Sequence, residues 1–105
     1  MPIRMMVTER GAGPVVICDF CQERITDATQ ANYIWDDNGV SAGSLTDVYF
    51  VHNSGPCDQG LQNQLGKMID NSQELSLLIP YLIQNLNVNL ERAEKYAALA
   101  SEEIG

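Results

Sequence analysis

The sequence is poor in positive charge. Among its 105 residues there are 6 Lys and Arg but 14 Asp and Glu, so the formal net charge at pH 7 is −8. The basic residues are scattered and form no cluster or stripe of the kind that neutralises a phosphate backbone. We therefore expect that this acidic protein has no nucleic acid partner.

Long apolar segments are also lacking. The longest run, at residues 77–83, contains Pro80 and is far shorter than the ~20 residues that cross a bilayer. Near the N-terminus only residues 5–7 form an apolar run, which is too short for a secretory signal. These features predict no membrane partner and a cytoplasmic location.

Cysteine and histidine are scarce, and all of them fall into one pattern. The 3 Cys and 1 His form Cys18-x2-Cys21, a gap of thirty residues, and then His52-x4-Cys57. In a reducing compartment, an odd number of cysteines with CxxC spacing favours metal or redox chemistry over a disulfide framework. A CxxC turn brings two thiolates to one ion, and a second pair completes a tetrahedral set. The pattern predicts one structural zinc ion bound by all four side chains.

The predicted elements around these four residues are a knuckle, a hairpin and a helix. The β-branched run at residues 15–17 predicts a strand that leads into the CxxC turn. Residues 32–36 and 48–51 predict the two strands of a hairpin, with turn residues at Asp37-Asn38-Gly39. After His52 and Cys57, apolar residues recur at helical spacing and predict a helix over residues 58–70.

This order of elements resembles the treble-clef class of zinc-binding domains, which includes the LIM-type modules. The resemblance covers roughly residues 15–70. It implies that Cys18 and Cys21 are the knuckle ligands. It also implies that His52 ends the second hairpin strand and that Cys57 lies at a helix N-terminus. There, the positive end of the helix dipole is expected to lower the pKa of the Cys57 thiol.

Other interpretations of the same residues stay open. Free cysteines are often small buried hydrophobes, and a lone histidine is often a hydrogen-bonded surface or core residue. A CxxC pair also serves thiol redox chemistry, although such motifs usually open a helix, whereas a hairpin follows here. A zinc ion with four protein ligands has no open position for substrate, so we expect a protein that is not an enzyme. The alternatives are a metal-handling protein and an unrecognised enzyme.

The last third of the chain is predicted to be helical. A second helix is expected to begin after Asn71-Ser72 and to be kinked or split at Pro80. Asn89 is a suitable cap for a third helix, which is expected to run from Leu90 to about residue 103.

The sequence as a whole predicts an α+β protein in three parts. Residues 1–13 are expected to be a flexible N-terminal arm. Residues 14–70 are expected to form a small domain with the zinc knuckle, the β-hairpin and the first helix. Residues 71–105 are expected to supply two or three α-helices that pack on this domain or on a partner.

One face of the predicted second helix is apolar, with Leu75, Ile79, Leu82 and Leu86 at helical spacing. A zinc domain of about fifty residues offers too little surface to cover these side chains and their apolar neighbours. We expect them to bind another protein chain, and a second copy is the first candidate because two-fold dimers are the commonest soluble assemblies. The sequence therefore predicts a zinc-stabilised protein-interaction or assembly module that forms a homodimer.

Overall fold

The computed structural model describes residues 2–37, 40, 43 and 45–104, which form two antiparallel three-stranded sheets and three α-helices. The first sheet has the order β1-β2-β3, with strands Ile3–Thr8, Gly11–Ile17 and Arg24–Ile25. The second has the order β5-β4-β6, with strands Val48–His52, Ala31–Trp35 and Asn71–Glu74. Helices α1, α2 and α3 span Cys57–Leu65, Leu78–Asn85 and Leu90–Ile104. The predicted α+β class is confirmed.

The central hairpin forms as expected from its β-branched and aromatic residues. Strands β4 and β5 pair antiparallel from Ala31 opposite His52 to Trp35 opposite Val48. Tyr33 and Trp35 project from the same face of β4, and their rings stack with centroids 5.3 Å apart. Residues 38, 39, 41, 42 and 44 of the connection, which include most of the predicted turn, lie outside the described residues.

The N-terminal segment is a strand and not the predicted flexible arm. Residues Ile3–Thr8 pair with Gly11–Ile17 along their whole length. The turn between them is held by the Thr8 hydroxyl, which donates to the Gly11 carbonyl at 3.0 Å and accepts from the Arg10 N–H at 3.1 Å. Gly11 has a φ of 97°, which a glycine adopts without strain. The glycine that suggested flexibility therefore enables a tight turn.

The helix that follows Cys57 is shorter than expected. Gly66 adopts a left-handed φ of 71° and its N–H caps the carbonyls of Gln62 and Asn63, so α1 ends at Leu65. The polar residues Asn71–Glu74 then form β6, where a helix was expected to begin. Long-range pairing explains the difference, because the Asn32 amide donates to the Ser72 hydroxyl and the Tyr33 hydroxyl donates to Gln73.

The last two helices follow the prediction more closely. Pro80 lies in the first turn of α2, where its missing N–H would have no intrahelical partner, so it neither kinks nor splits the helix. Asn89 caps α3 as expected, since its side-chain oxygen accepts the Arg92 N–H at 3.0 Å. Within the described part of the chain, no helix is long and apolar enough to cross a membrane.

The core lies between the second sheet and α1. The largest of its fully buried side chains are Ile34, Val51 and Cys18. Trp35, Tyr49 and Phe20 are partly buried and pack against this core. Cys18 and Cys57 themselves belong to it, so the candidate ligands are anchored in the best-packed part of the molecule.

Candidate metal centre

The CxxC segment folds into a tight knuckle directly after β2. The Cys18 N–H donates to the Glu23 carbonyl at 2.9 Å, and the Gln22 N–H donates back to the Cys18 carbonyl at 3.1 Å. Gln22 adopts a left-handed φ of 64°, which turns the chain sharply after Cys21. The backbone N–H groups of Cys21 and Phe20 also lower the pKa of the Cys18 thiol. The local backbone thus favours a negatively charged sulfur at this position.

The knuckle is attached to the outer edge of β5. The Asp19 N–H donates to the Phe50 carbonyl at 2.7 Å, and the Phe50 N–H donates to Asp19 Oδ2 at 2.7 Å. Two residues along the strand, the His52 N–H contributes to lowering the pKa of Cys18. These bonds place the CxxC pair beside the last residue of β5 and so determine which side chain completes the site.

The knuckle, β5 and α1 bring all four predicted ligand residues together. The ligand atoms of Cys18, Cys21, His52 and Cys57 lie within 4.8 Å of one another. His52 Nδ1 lies 3.5 Å from Cys21 Sγ and 3.9 Å from Cys57 Sγ. Tetrahedral zinc with ordinary bond lengths separates nitrogen and sulfur ligands by about 3.6 Å. The cluster can therefore hold one metal ion, with Nδ1 as the histidine ligand atom.

The protein environment lowers the pKa of Cys18 and raises the pKa of Cys57. Burial raises the pKa of Cys18, but the backbone N–H groups of Cys21, His52 and Phe20 outweigh it and lower the pKa to about 7. Burial, together with the neighbouring Cys18 and Cys21 sulfurs, raises the pKa of Cys57 to about 12. Helix α1 does begin at Cys57, yet the expected lowering of its pKa is wrong because these effects exceed the helix dipole.

A bound cation would offset the cost of ionising three neighbouring thiols. Without one, burial and the neighbouring Cys18 and Cys21 sulfurs oppose ionisation of Cys57 and raise its pKa. A bound divalent ion reverses the sign of that local field and favours all the thiolates together. The arrangement is thus chemically suited to metal binding, which requires deprotonated sulfur.

Phe20 joins the knuckle to α1 through a close contact with a helical glycine. A methyl group placed on Gly60 would lie 2.5 to 2.9 Å from three atoms of the Phe20 ring. The ring therefore occupies the space that any other residue at position 60 would need. This contact holds the knuckle, which carries Cys18 and Cys21, against the helix that carries Cys57.

Substituting Gly60→Ala is expected to destabilise the protein by about 1–3 kcal/mol, because the added methyl overpacks the Phe20 contact. In an open helix the same change would stabilise by about 0.5–1 kcal/mol. Urea unfolding measures the difference. Gly13→Ala is the matched control, since no atom lies within 4 Å of the methyl it would add. Adding Phe20→Ala to Gly60→Ala should remove the overpacking penalty, and a fully stable Gly60→Ala protein would contradict the proposed contact.

The predicted partner-binding residues do not share one environment. Leu75 is only 6% exposed and belongs to the protein's own core, so its assignment to a partner surface is wrong. It precedes α2 in a short 3-10 turn at Leu75–Leu77, which points it inward. Ile79 and Leu82 on α2 remain exposed, as does Leu86, the residue that caps the C-terminus of this helix.

Two contributors to the site were missed at the sequence level. Asp19 fastens the knuckle through Phe50, but the two residues are thirty-one positions apart and no local pattern pairs them. Gly60 had a usable signal, because a glycine inside a predicted helix often marks a close approach by another group.

Comparisons of this chain with protein-family models, with curated protein sequences and with solved structures give no match.

Proposed function

We propose that this protein is a zinc-stabilised, non-catalytic module that binds another protein through its C-terminal helices. Zinc is the preferred ion because three thiolates and one imidazole are a donor set typical of structural zinc sites. The four side chains would occupy all four coordination positions of a tetrahedral ion and leave none for water or substrate. The metal would then act by holding the knuckle, β5 and α1 together.

The observation that carries the interaction role is the exposure of α2. None of its eight residues is buried, although the helix is largely apolar. Ile79, Leu82 and Leu86 are 55%, 41% and 69% exposed, and we call these three side chains the α2 face. Exposed contiguous apolar surface on a folded chain marks a protein-binding site.

The total surface of the chain is also larger than that of a compact monomer. A folded monomer of 11.6 kDa typically exposes roughly 5,800 Å², whereas this chain exposes 7714 Å². Its radius of gyration is 15.6 Å, and a compact chain of this length has about 13 Å. The excess of roughly 1,900 Å² exceeds the ~800 Å² that each partner contributes to a standard interface.

Substituting Leu82→Glu together with Leu86→Glu is expected to abolish partner binding without unfolding the protein, because both side chains are exposed. Affinity capture from cells of the source organism, quantified by mass spectrometry, compares this variant with the unsubstituted chain. A control, Gln84→Glu with Asn85→Glu, adds the same charge to exposed polar positions of α2.

The proposal predicts a specific difference between the proteins captured by these three chains. At least one protein must be retained by the unsubstituted chain and the control and lost by the double variant, while all three melt at similar temperatures. An identical captured set for all three chains would refute the α2 face as the binding surface. Unfolding of the double variant would instead assign the two leucines to the protein's own core.

A further inference from the structure

The outer edge of β1 is open along a full strand. In the first sheet β1 pairs only with β2, and no described strand lies on its other side. The Ile17 N–H donates to the Pro2 carbonyl at 2.6 Å, which identifies residues 2, 4, 6 and 8 as those that bond to β2. Pro14, which has no N–H, lies opposite Met5 as this alternation requires. The N–H and C=O groups of Ile3, Met5 and Val7 therefore point away from the sheet.

The same three residues are apolar and solvent-exposed. Ile3, Met5 and Val7 share one face of the strand and are 54%, 69% and 80% exposed. Strand β1 contains no carboxylate, in a chain of net charge −8. An exposed edge of this length with three apolar side chains on one face is a template for another strand, and soluble proteins usually protect such edges.

We propose that β1 pairs with β1 of a second copy of this chain, antiparallel about a two-fold axis at Met5. In that register Met5 lies opposite Met5 of the second copy, and Ile3 lies opposite Val7. Every outward N–H and C=O of these residues then finds a partner across the axis. The first sheet of one copy and the first sheet of the other then join into one continuous six-stranded sheet.

The symmetry of the strand favours a second copy over a foreign segment. The apolar residues Ile3, Met5 and Val7 are arranged symmetrically about Met5, so on their face of the strand an antiparallel copy places apolar side chains opposite one another, while on the other face Arg4 lies opposite Met6. Centring the axis on Arg4 instead would set two guanidinium groups directly opposite each other, which disfavours that register. A contact built on one strand pair is small, so dimerisation should be weak and dependent on concentration.

Charges of opposite sign, introduced at Met5 in two separate variants, test this pairing. In the proposed dimer, Met5→Lys places two ammonium groups opposite each other, and Met5→Glu places two carboxylates there. Each variant alone is expected to dimerise at least about tenfold more weakly than the unsubstituted chain. An equimolar mixture of the two variants should regain the dimer, because each axis then carries opposite charges. Sedimentation velocity over a concentration series measures all of these states.

Met68 supplies the matched control because it is 79% exposed and lies outside the two sheets. Met68→Lys and Met68→Glu should dimerise like the unsubstituted chain, alone and mixed. Hydrogen exchange gives a residue-level readout: the Ile3, Met5 and Val7 amides should become protected as concentration rises, while the Met6 and Thr8 amides are protected throughout.

Other outcomes would overturn the proposal. A chain that stays monomeric at every concentration lacks the dimer altogether. A dimer that resists both Met5 substitutions but dissociates after Leu82→Glu with Leu86→Glu has its axis on the α2 face. A dimer weakened by both Met5 substitutions but not restored by mixing has no Met5 pair at its axis. The inference is independent of the proposed function, because the α2 face and β1 are separate surfaces with separate variants.

Discussion

Removal of the metal ion proposed at this site is expected to unfold the protein from the knuckle through α1. Structural zinc in small domains contributes an apparent ~10–16 kcal/mol of binding energy at neutral pH. This equals or exceeds the total stability of ~5–15 kcal/mol that is typical of folded domains. Cys18 and Cys57 lie inside the core, so loss of the ion would remove the link between the knuckle and α1 within that core. Circular dichroism during titration with a chelator, after elemental analysis of the purified protein, measures the effect.

Position 52 offers a matched pair of variants for this prediction. His52→Cys keeps four ligands and should retain about one zinc per chain, whereas His52→Ala should lose most of the zinc and much of the fold. Zinc content near zero in a well-folded, unsubstituted protein would refute the metal assignment. Zinc retained with an unchanged fold in His52→Ala would refute only the histidine as a ligand.

Two leucines that sequence spacing places on the same helix face are expected to behave very differently. Leu75 is 6% exposed and Leu86 is 69% exposed. Leu75→Ala should cost about 2–5 kcal/mol of unfolding free energy, because it removes a buried side chain and leaves a cavity. Leu86→Ala should change stability by less than about 0.5 kcal/mol, because its side chain stays in water. Urea unfolding measures the free energy of unfolding of each variant, and the substitution is Leu→Ala at both positions.

Equal losses for the two variants would show that both leucines are core residues. In that case α2 would not be available to a partner, and the proposed interaction surface would have to be abandoned. A negligible loss for Leu75→Ala would instead remove Leu75 from the core that the structure assigns to it.

The cluster of Cys and His side chains was predictable because it depends on a few residue types with restricted chemistry and short spacings. All 3 Cys and the 1 His of the chain enter one pattern, so few other arrangements could use them. The β4–β5 hairpin was also predictable, since its strands carry the β-branched and aromatic residues that favour sheets. Together these features led to the correct grouping of Cys18, Cys21, His52 and Cys57.

The errors arose where distant contacts decide the structure. Asn71–Glu74 is polar and has no strand pattern, yet it pairs with β4 through backbone and side-chain bonds to residues forty positions away. The resulting strand changes the direction of the chain and turns Leu75 inward, which single-helix spacing could not foresee. At the N-terminus, the turn at Gly11 was mistaken for a flexible segment because its bonds form only within the hairpin.

The attachment of the knuckle to β5 would give the proposed metal ion a second role, which is protection against misassembly. Asp19 bonds to the outward N–H and C=O groups of Phe50, and the knuckle thereby covers a sheet edge that would otherwise be open. Uncovered edges nucleate cross-β aggregation, particularly when the strand is rich in aromatic and β-branched residues, as Val48–His52 is. A chain that loses its metal should therefore lose this cover as well. Zinc starvation would then be expected to lead to aggregates as well as to unfolded monomers.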